Sequence, residues 1–345
     1  MLLARADAPE PARPNLSPPE LYAQACAACH GTDGKGSPNW QGPVPVPDFT
    51  DCLATTSEPA EHWEAIVSGG GPARGLSSSM PAFGEALDAS GIRELVAYLR
   101  RFCKDWEKYP TGDLNFRRPI ETGKAFPEQE VVLLPEYARF AGSGITGLEA
   151  SYENRIGPGF QWEVTVPFVL QSPEHAGLGD VEVELKQVIG FSLAHTQILS
   201  GGVELVLPSG NRDLGLGQGT TIVSPFLAFG QAWGDTILQT RVAAEITTNA
   251  SRVDSLMTFQ VALSQALGSP RVGWVPAVEF LGTRDLVTGG NDWSSVLEMS
   301  KALSRLGHVV GAVGVRLPIT QNPEKYRIEA YLLWDFGDGP FWLGW

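Results

Sequence analysis

The chain contains the sequence Cys26-Ala27-Ala28-Cys29-His30 near its start. Two cysteines separated by two residues and followed at once by a histidine form the attachment sequence for c-type haem. One helical turn separates the thiols, so both can add to the vinyl groups of one porphyrin, and the histidine then presents its imidazole to the iron. The alternatives are a chance match and a C-x-x-C pair that binds zinc or undergoes redox exchange.

A haem iron in an electron carrier needs a second axial ligand. Methionine and histidine are the usual choices, and methionine raises the reduction potential. The chain has four methionines, and only Met80 lies within reach of a small haem domain. The competing residue is His62, which lies in a segment with apolar residues at helical spacing and is expected to be a partly exposed helix histidine. The sequence therefore favours Met80.

With these residues in place, the segment 18–105 resembles a class I monohaem cytochrome c. The resemblance implies a small all-α domain that carries one covalent haem c. The residues that it assigns to the haem are Cys26, Cys29, His30, Pro43 and Met80, with His30 and Met80 as ligands of the iron.

The resemblance also implies a role for the loop Gly42-Pro43, which should pack against His30. In that family the proline carbonyl accepts a hydrogen bond from the ligand imidazole and so fixes its tautomer and orientation. A six-coordinate haem has no open site for substrate. The resemblance therefore implies an electron carrier more than a bond-making enzyme.

Three helices are expected in this domain. Ser17 precedes two prolines and should cap a helix that leads into the C-x-x-C-H sequence. A second helix is expected over 58–67, where a run of glycines follows. Ser90 should cap a third over 91–104, whose apolar residues lie on one face at helical spacing and should pack on the first helix.

Composition limits the environment of the chain. The 345 residues suffice for two domains, and the net charge of -14 argues against a nucleic-acid partner. Two of the four cysteines would be used by the haem, which leaves Cys52 and Cys103. Haem attachment takes place outside the cytoplasm in an oxidising compartment, so a disulfide between them is expected. Two unpaired thiols are the alternative.

The segments on either side of the haem domain, residues 1–17 and 106–129, have less distinctive sequences. Residues 1–17 resemble the remnant of a signal peptide, with small residues at its end, followed by a flexible proline-rich lead. Residues 106–129 show no clear period and are expected to form a linker. No run of eighteen apolar residues exists, which argues against a transmembrane helix.

Beyond about residue 130 apolar and polar residues alternate in segments of ten to fourteen, separated by Gly, Pro, Asn and Asp. Alternation of this kind indicates β-strands. Short and long connections alternate along most of the region, which is typical of an outer-membrane barrel. The twelve expected strands are 130–140, 145–155, 159–170, 180–190, 195–207, 219–230, 235–247, 254–266, 271–282, 292–303, 308–317 and 325–336.

A soluble β-sandwich also alternates, but these strands are long and numerous for one. The chain ends in Phe341-Trp342-Leu343-Gly344-Trp345, which resembles the C-terminal aromatic strand of bacterial outer-membrane barrels. The region more loosely resembles the small transporter-like barrels of phenol-degradation pathways. We therefore expect a multidomain chain, an all-α cytochrome c fold followed over 130–345 by an antiparallel transmembrane β-barrel of about twelve strands.

The alternation assigns the two faces of the barrel. The residues expected to face lipid include Trp162, Phe168, Trp274, Tyr326 and Trp334. The charged residues expected to face the lumen are Glu149, Glu153, Glu163, Glu182, Glu184, Lys186, Arg241, Glu245, Glu279, Arg316, Arg327 and Glu329. These charges can line a narrow channel, or they can form ion pairs that fill the interior.

Two functions remain open. The fusion resembles cytochrome–porin proteins, which implies electron transfer between a periplasmic electron-transfer protein and an extracellular donor or acceptor such as iron. The barrel could instead be a narrow channel for a small solute, with the cytochrome domain docking a periplasmic redox partner. In both cases the barrel contacts outer-membrane lipid. The haem domain, about 30 Å wide, should lie in the periplasm at the barrel mouth.

Overall fold

The computed structural model describes residues 16–171, 175–269, 272–304 and 307–336. Most of the expected signal remnant and the C-terminal aromatic stretch Phe341–Trp345 lie outside these residues. The chain divides into two compact units, Met1–Gly112 and Asp113–Trp345.

The first unit is helical, as expected. Its helices are α1 Pro18–Ala25, α2 Ala27–His30, α3 Cys52–Ser57, α4 Ala60–Gly69 and α5 Ala89–Arg100, with 3-10 turns at Gly71–Arg74 and Trp106–Lys108. None of the helices in the described part of the chain is long and apolar enough to cross a membrane.

Capping residues define where two of these helices begin. Ser17 caps α1, and the Glu20 carboxylate accepts from the Ser17 backbone N–H at 2.9 Å and from its hydroxyl at 2.6 Å. The prediction that Ser90 caps α5 is wrong. Asp88 is the cap, because its carboxylate accepts from the Gly91 N–H at 2.6 Å and from the Ser90 hydroxyl at 2.9 Å.

One apolar core holds the first unit together. Four residues of the predicted α5 face, Ile92, Leu95, Val96 and Leu99, are buried in it. Tyr22 of α1 belongs to the same core, and its ring lies 4.9 Å from that of Phe102. The packing of α5 on α1 follows from the helical spacing of these apolar residues.

The second unit is a closed antiparallel barrel. Its strands are β1 Glu130–Phe140, β2 Gly144–Arg155, β3 Phe160–Gln171, β4 Gly177–Leu178, β5 Val181–Ser192, β6 Gln197–Leu207, β7 Ile222–Trp233, β8 Thr236–Thr247, β9 Leu256–Gln265, β10 Trp274–Asp285, β11 Asn291–Ala302, β12 Val309–Pro318 and β13 Glu324–Asp335. Each strand pairs with its neighbour, and β1 also pairs with β13, which closes the ring. Among the described residues, the two-residue β4 pairs with β3 alone and lies outside the ring. Twelve ring strands match the twelve predicted ones.

The outward face of the ring is apolar and exposed. Val313, Ile189 and Leu297 are 64%, 60% and 58% exposed, and Trp274 is 50% exposed. An apolar surface of this extent is costly in water and is what a lipid-facing surface requires. Since closure also leaves no unpaired strand edge, the structure is that of a transmembrane barrel of the outer membrane.

The connections distinguish the two rims of the barrel. The connections 156–159, 193–196 and 234–235 are short and share one rim, here called the turn rim, with the start of β1 and the end of β13. The connections 208–221 and 248–255 are longer and lie on the opposite loop rim. Some connections depart from this pattern: 266–273 on the turn rim is as long as 248–255, and 141–143 on the loop rim is short. In outer-membrane barrels short turns face the periplasm and long loops face the exterior.

Candidate haem site and the barrel lumen

The C-x-x-C-H sequence forms a single helical turn directly after α1. The Cys26 carbonyl accepts from the N–H groups of Cys29 at 3.1 Å and His30 at 2.9 Å. The Cys26 N–H itself donates to the Tyr22 carbonyl, so the turn continues from α1. Both thiols are free and partly buried. The sequence therefore places two unbonded thiols and an imidazole on one turn.

His30 lies in an apolar environment. Its ring stacks on Phe49, with centroids 4.8 Å apart, and Phe49 packs in turn against Trp63. Burial lowers the pKa of His30, which favours the neutral imidazole that binds metals. Burial, and then the neighbouring Cys29, raise the pKa of Cys26 to about 11.

The expected hydrogen bond from His30 to the Pro43 carbonyl is not formed. His30 Nδ1 is buried and has no hydrogen-bond partner in the described part of the chain, and Pro43 is exposed. The loop is held in another way, because the Trp40 indole N–H donates to the Val44 carbonyl at 2.7 Å. The indole also packs over Gly42, where a Cβ atom would lie 1.8 Å from the ring.

Met80 is partly buried in a loop that packs against a glycine run. Its carbonyl accepts from the Gly71 N–H at 3.0 Å. Gly70 has φ +75°, and a Cβ atom there would lie 2.8 Å from the Met80 carbonyl oxygen. The two glycines thus allow the backbone after α4 to run directly against the Met80 loop.

His62 is buried rather than partly exposed, so that expectation is wrong. Its Nδ1 is hydrogen-bonded to the Glu58 carboxylate, and its Nε2 accepts from the Arg74 guanidinium at 2.6 Å. Both ring nitrogens are therefore occupied, which favours Met80 over His62 as an iron ligand.

The first unit contains two free thiols one turn apart, a half-buried imidazole and a thioether, which together form the donor set of haem c. A zinc site would need four ligands in tetrahedral arrangement. The one metal-type cluster of three His, Cys, Asp or Glu ligands found among the described residues includes neither Cys26 nor Cys29. The residues present fit haem c better.

Cys52 and Cys103 form a disulfide, with Cα atoms 5.0 Å apart. Their separation of 51 residues makes the loop large, and the chain-entropy model gives about 4 kcal/mol of stabilisation for such a loop. We predict that Cys52→Ala/Cys103→Ala lowers the free energy of unfolding of the first unit by about that amount. Mass spectrometry without reductant checks the bond itself, and two alkylatable thiols at these positions in the folded protein would contradict it.

The predicted linker spans 106–129, and its residues from Asp113 onward belong to the second unit. We call residues 113–129 the luminal segment, because their contacts are with inward-facing residues of the barrel wall. Near the turn rim, Leu114 and Phe116 pack in a buried cluster whose wall members include Ile198, Phe226 and Ile237. No sequence period indicates this placement, since the segment has no regular secondary structure beyond one 3-10 turn.

Four consecutive backbone N–H groups at the tip of the segment donate to side chains of the wall. The acceptors come from the neighbouring strands β11, β10 and β9. The bonds run from Ile120 to Glu298 (2.8 Å), from Glu121 and Thr122 to Glu279 (3.0 and 2.6 Å) and from Gly123 to Gln260 (3.2 Å).

Four arginines of the lumen form ion pairs, whereas several luminal glutamates form none in the described part of the chain. Arg118 of the luminal segment pairs with Glu153 and with Glu130 at the start of β1. The predicted luminal residues Arg241 and Glu184 pair at 2.9 Å. Three further ion pairs join Arg241 to Glu204, Arg316 to Glu121 and Arg327 to Glu136. The interior thus contains ion pairs and a segment that the sequence did not place there.

A cavity of about 200 Å³ remains on the loop-rim side of the tip. Glu121 of the segment contributes to its lining, together with Arg316 and Arg327 from the wall and Asp292 and Asn322 near the loop rim. The segment therefore fills the lumen from the turn rim to its middle, and the cavity lies beyond it.

Comparison with known proteins finds separate likenesses for the two units. Residues 14–99 match the family model described as cytochrome C oxidase, cbb3-type, subunit III. None of the curated proteins matches the chain.

Three solved structures illustrate the likeness of the barrel. KdgM porin is 11% identical, with a TM-score of 0.44 over 60% of this chain and 99% of the other. An outer membrane channel from Pseudomonas putida F1 is 15% identical, with a TM-score of 0.48 over 64% and 100%. Outer membrane phospholipase A from Escherichia coli is 10% identical, with a TM-score of 0.39 over 61% and 98%. Likeness at this level concerns the fold alone.

The match over 14–99 includes the C-x-x-C-H turn and Met80, and the ring of twelve strands closes independently of it. The expected fusion is confirmed: a cytochrome c domain is followed in one chain by a closed twelve-stranded outer-membrane barrel.

Proposed function

We propose that this protein transfers single electrons at the outer membrane and carries one covalent haem c. The observation that carries the proposal is the turn 26–30, which presents two free thiols and an imidazole in a domain that matches a cytochrome family. A bound haem would supply a one-electron Fe(III)/Fe(II) couple.

The residues of the first unit would hold and tune that group. Cys26 and Cys29 would form the two thioether bonds, and His30 and Met80 would be the axial ligands. The packing of Phe49 and Trp63 beside His30 would keep water from the imidazole. An apolar surrounding and a methionine ligand both favour the reduced, less charged iron and so raise the potential.

The periplasm is the compartment that we propose for the haem domain. Covalent haem attachment and the Cys52–Cys103 disulfide both belong to an oxidising compartment. The partner on that side would be a periplasmic electron-transfer protein. The final donor or acceptor would be extracellular, with iron as one candidate.

A narrow solute channel is the second candidate function, and the 200 Å³ cavity open toward the loop rim is the observation that favours it. The cavity has polar and charged lining residues, as a solute site would need. The luminal segment lies across its inner end, so passage would require this segment to move.

We predict that Met80→Ala lowers the reduction potential and removes the sulfur-to-iron charge-transfer band, because the thioether ligand is lost. Visible spectroscopy and voltammetry of the full chain measure both. His62→Ala is the matched control, since it removes a histidine already hydrogen-bonded to Glu58 and Arg74 and should leave the band in place. The ligand assignment would be wrong if the unaltered chain lacked the band, or if Met80→Ala left the spectrum unchanged while His62→Ala altered it.

A further inference from the structure

We propose that the luminal segment, residues 113–129, is a resident plug that keeps the barrel closed to solutes. The barrel would then anchor the protein in the membrane without forming an open pore, and the 200 Å³ cavity would be a closed-ended pocket on its loop-rim side. The proposal concerns the second unit alone and is independent of haem binding.

The path of the segment shows which part of the lumen it fills. The two ends of the segment lie near the turn rim. Arg118 pairs with Glu130 at the start of β1, and the Glu128 N–H donates at 2.6 Å to Gln161 near the start of β3. Its tip lies at mid-barrel, where Glu279 of β10 accepts from it. The segment thus enters from the turn rim, reaches the middle of the barrel and returns.

The wall supplies donors as well as acceptors to the plug backbone. At the tip, side chains of Gln260, Glu279 and Glu298 accept hydrogen bonds from backbone N–H groups of the plug. Four other wall side chains donate to backbone carbonyl oxygens of the plug: Gln239 to Arg117 (2.8 Å), Tyr331 to Arg118 (2.8 Å), Lys186 to Lys124 (3.1 Å) and Ser200 to Ala125 (2.5 Å). Irregular backbone at membrane depth is stable only where protein or water satisfies it. The side chains of the wall therefore supply the backbone hydrogen bonds that a helix or a sheet would otherwise supply to this segment.

Two wall glycines fit the apolar side chains of the plug. A Cβ atom at Gly314 of β12 would lie 2.7 Å from Cδ1 of Ile120. A Cβ atom at Gly230 of β7 would lie 3.0 Å from the ring of Phe116. A side chain at either position would press on these plug residues, so glycine leaves room for them. The wall is therefore shaped to the plug as well as bonded to it.

The plug supplies hydrogen bonds to wall carboxylates that it also covers. Glu279 and Glu153 are 0% and 1% exposed and take hydrogen bonds from the segment. Withdrawal of the segment would break these hydrogen bonds, including the charge-assisted bond between Arg118 and Glu153. These contacts favour a plug that is resident rather than transient.

Single-channel conductance in planar bilayers tests the proposal. The full chain should show no resolvable open state. A variant with residues 114–127 replaced by a glycine–serine linker of equal length should show stable openings. Glu279→Ala/Gln260→Ala, which removes three of the four tip acceptor bonds, should open intermittently. Glu245→Ala, which removes a luminal carboxylate outside the set that accepts hydrogen bonds from the plug, should stay closed.

Open-pore conductance by the unaltered chain would overturn the proposal, and so would a correctly assembled linker variant that stays closed. Hydrogen exchange on the unaltered chain decides the question if the linker variant does not assemble. The amides of residues 120–123 should exchange slowly, and exchange as fast as in the loop 248–255 would contradict a resident plug. The haem spectrum of each variant should be unchanged, so failure of this proposal and failure of electron transfer are separate results.

Discussion

Replacement of both Cys26 and Cys29 by serine is expected to abolish covalent haem attachment. The two free thiols lie on one turn, and serine hydroxyls cannot form the thioether bonds. The intact mass of the purified chain should fall to that of the polypeptide alone, and haem staining of the denatured protein should disappear. The loss should be complete, which makes this the largest effect that the haem site predicts.

The matched control replaces the other two cysteines. Cys52→Ala/Cys103→Ala removes the disulfide but leaves the C-x-x-C-H turn, so haem should remain covalently bound despite lower stability. Haem that survives denaturation of the double serine variant would contradict the assignment. Stoichiometric zinc in the wild-type chain would contradict it equally, in favour of the zinc alternative.

Leu297→Arg is expected to impair assembly of the barrel strongly. Leu297 lies in the middle of β11, faces outward and is 58% exposed. An arginine on the lipid face at the bilayer midplane costs about 2–4 kcal/mol. The amount of folded protein in the outer-membrane fraction should fall, and the midpoint of urea unfolding should shift downward.

Thr258→Arg is the control for charge and bulk. Thr258 lines the luminal cavity, so an arginine there meets a polar environment and should be tolerated. Leu297→Met keeps an apolar side chain on the lipid face and should also assemble. Equal assembly of Leu297→Arg and Thr258→Arg would show that the outward face does not contact lipid.

The strands were predictable because their alternation is strict. On β8, Gln239 is buried inside while Val242 and Ile246 are 39% and 49% exposed outside, as the sequence indicates. Because successive side chains of a strand point to opposite faces, an alternation of polar and apolar residues shows which of them face the lumen and which face lipid. Helix starts were less certain, since Asp88 and Ser90 are both good caps and only the structure shows which one accepts from the backbone.

The luminal segment could not be predicted in the same way. Its backbone bonds go to side chains distant in sequence, such as Glu279 and Glu298, and such bonds leave no period. The one available signal was chemical. Arg117, Arg118 and Lys124 are close in a short segment, and the lumen predicted from the strands is rich in glutamate.

The candidate haem residues were predictable as residue types but not as contacts. The cysteine spacing identified Cys26, Cys29 and His30. His62 is buried and hydrogen-bonded to Arg74, twelve residues away, and the helical pattern did not indicate this contact. The Trp40–Val44 hydrogen bond that shapes the proline-rich loop depends likewise on local geometry.

The absorption spectrum of the full chain, extracted with detergent from outer membranes and chemically reduced, tests the central claim most directly. We expect the sharp α and β bands of low-spin haem c in stoichiometric amount, retained through denaturation because the haem is bonded to Cys26 and Cys29. Outer-membrane protein without haem bands, or with the spectrum of a high-spin five-coordinate haem, would contradict a His30/Met80-ligated electron carrier.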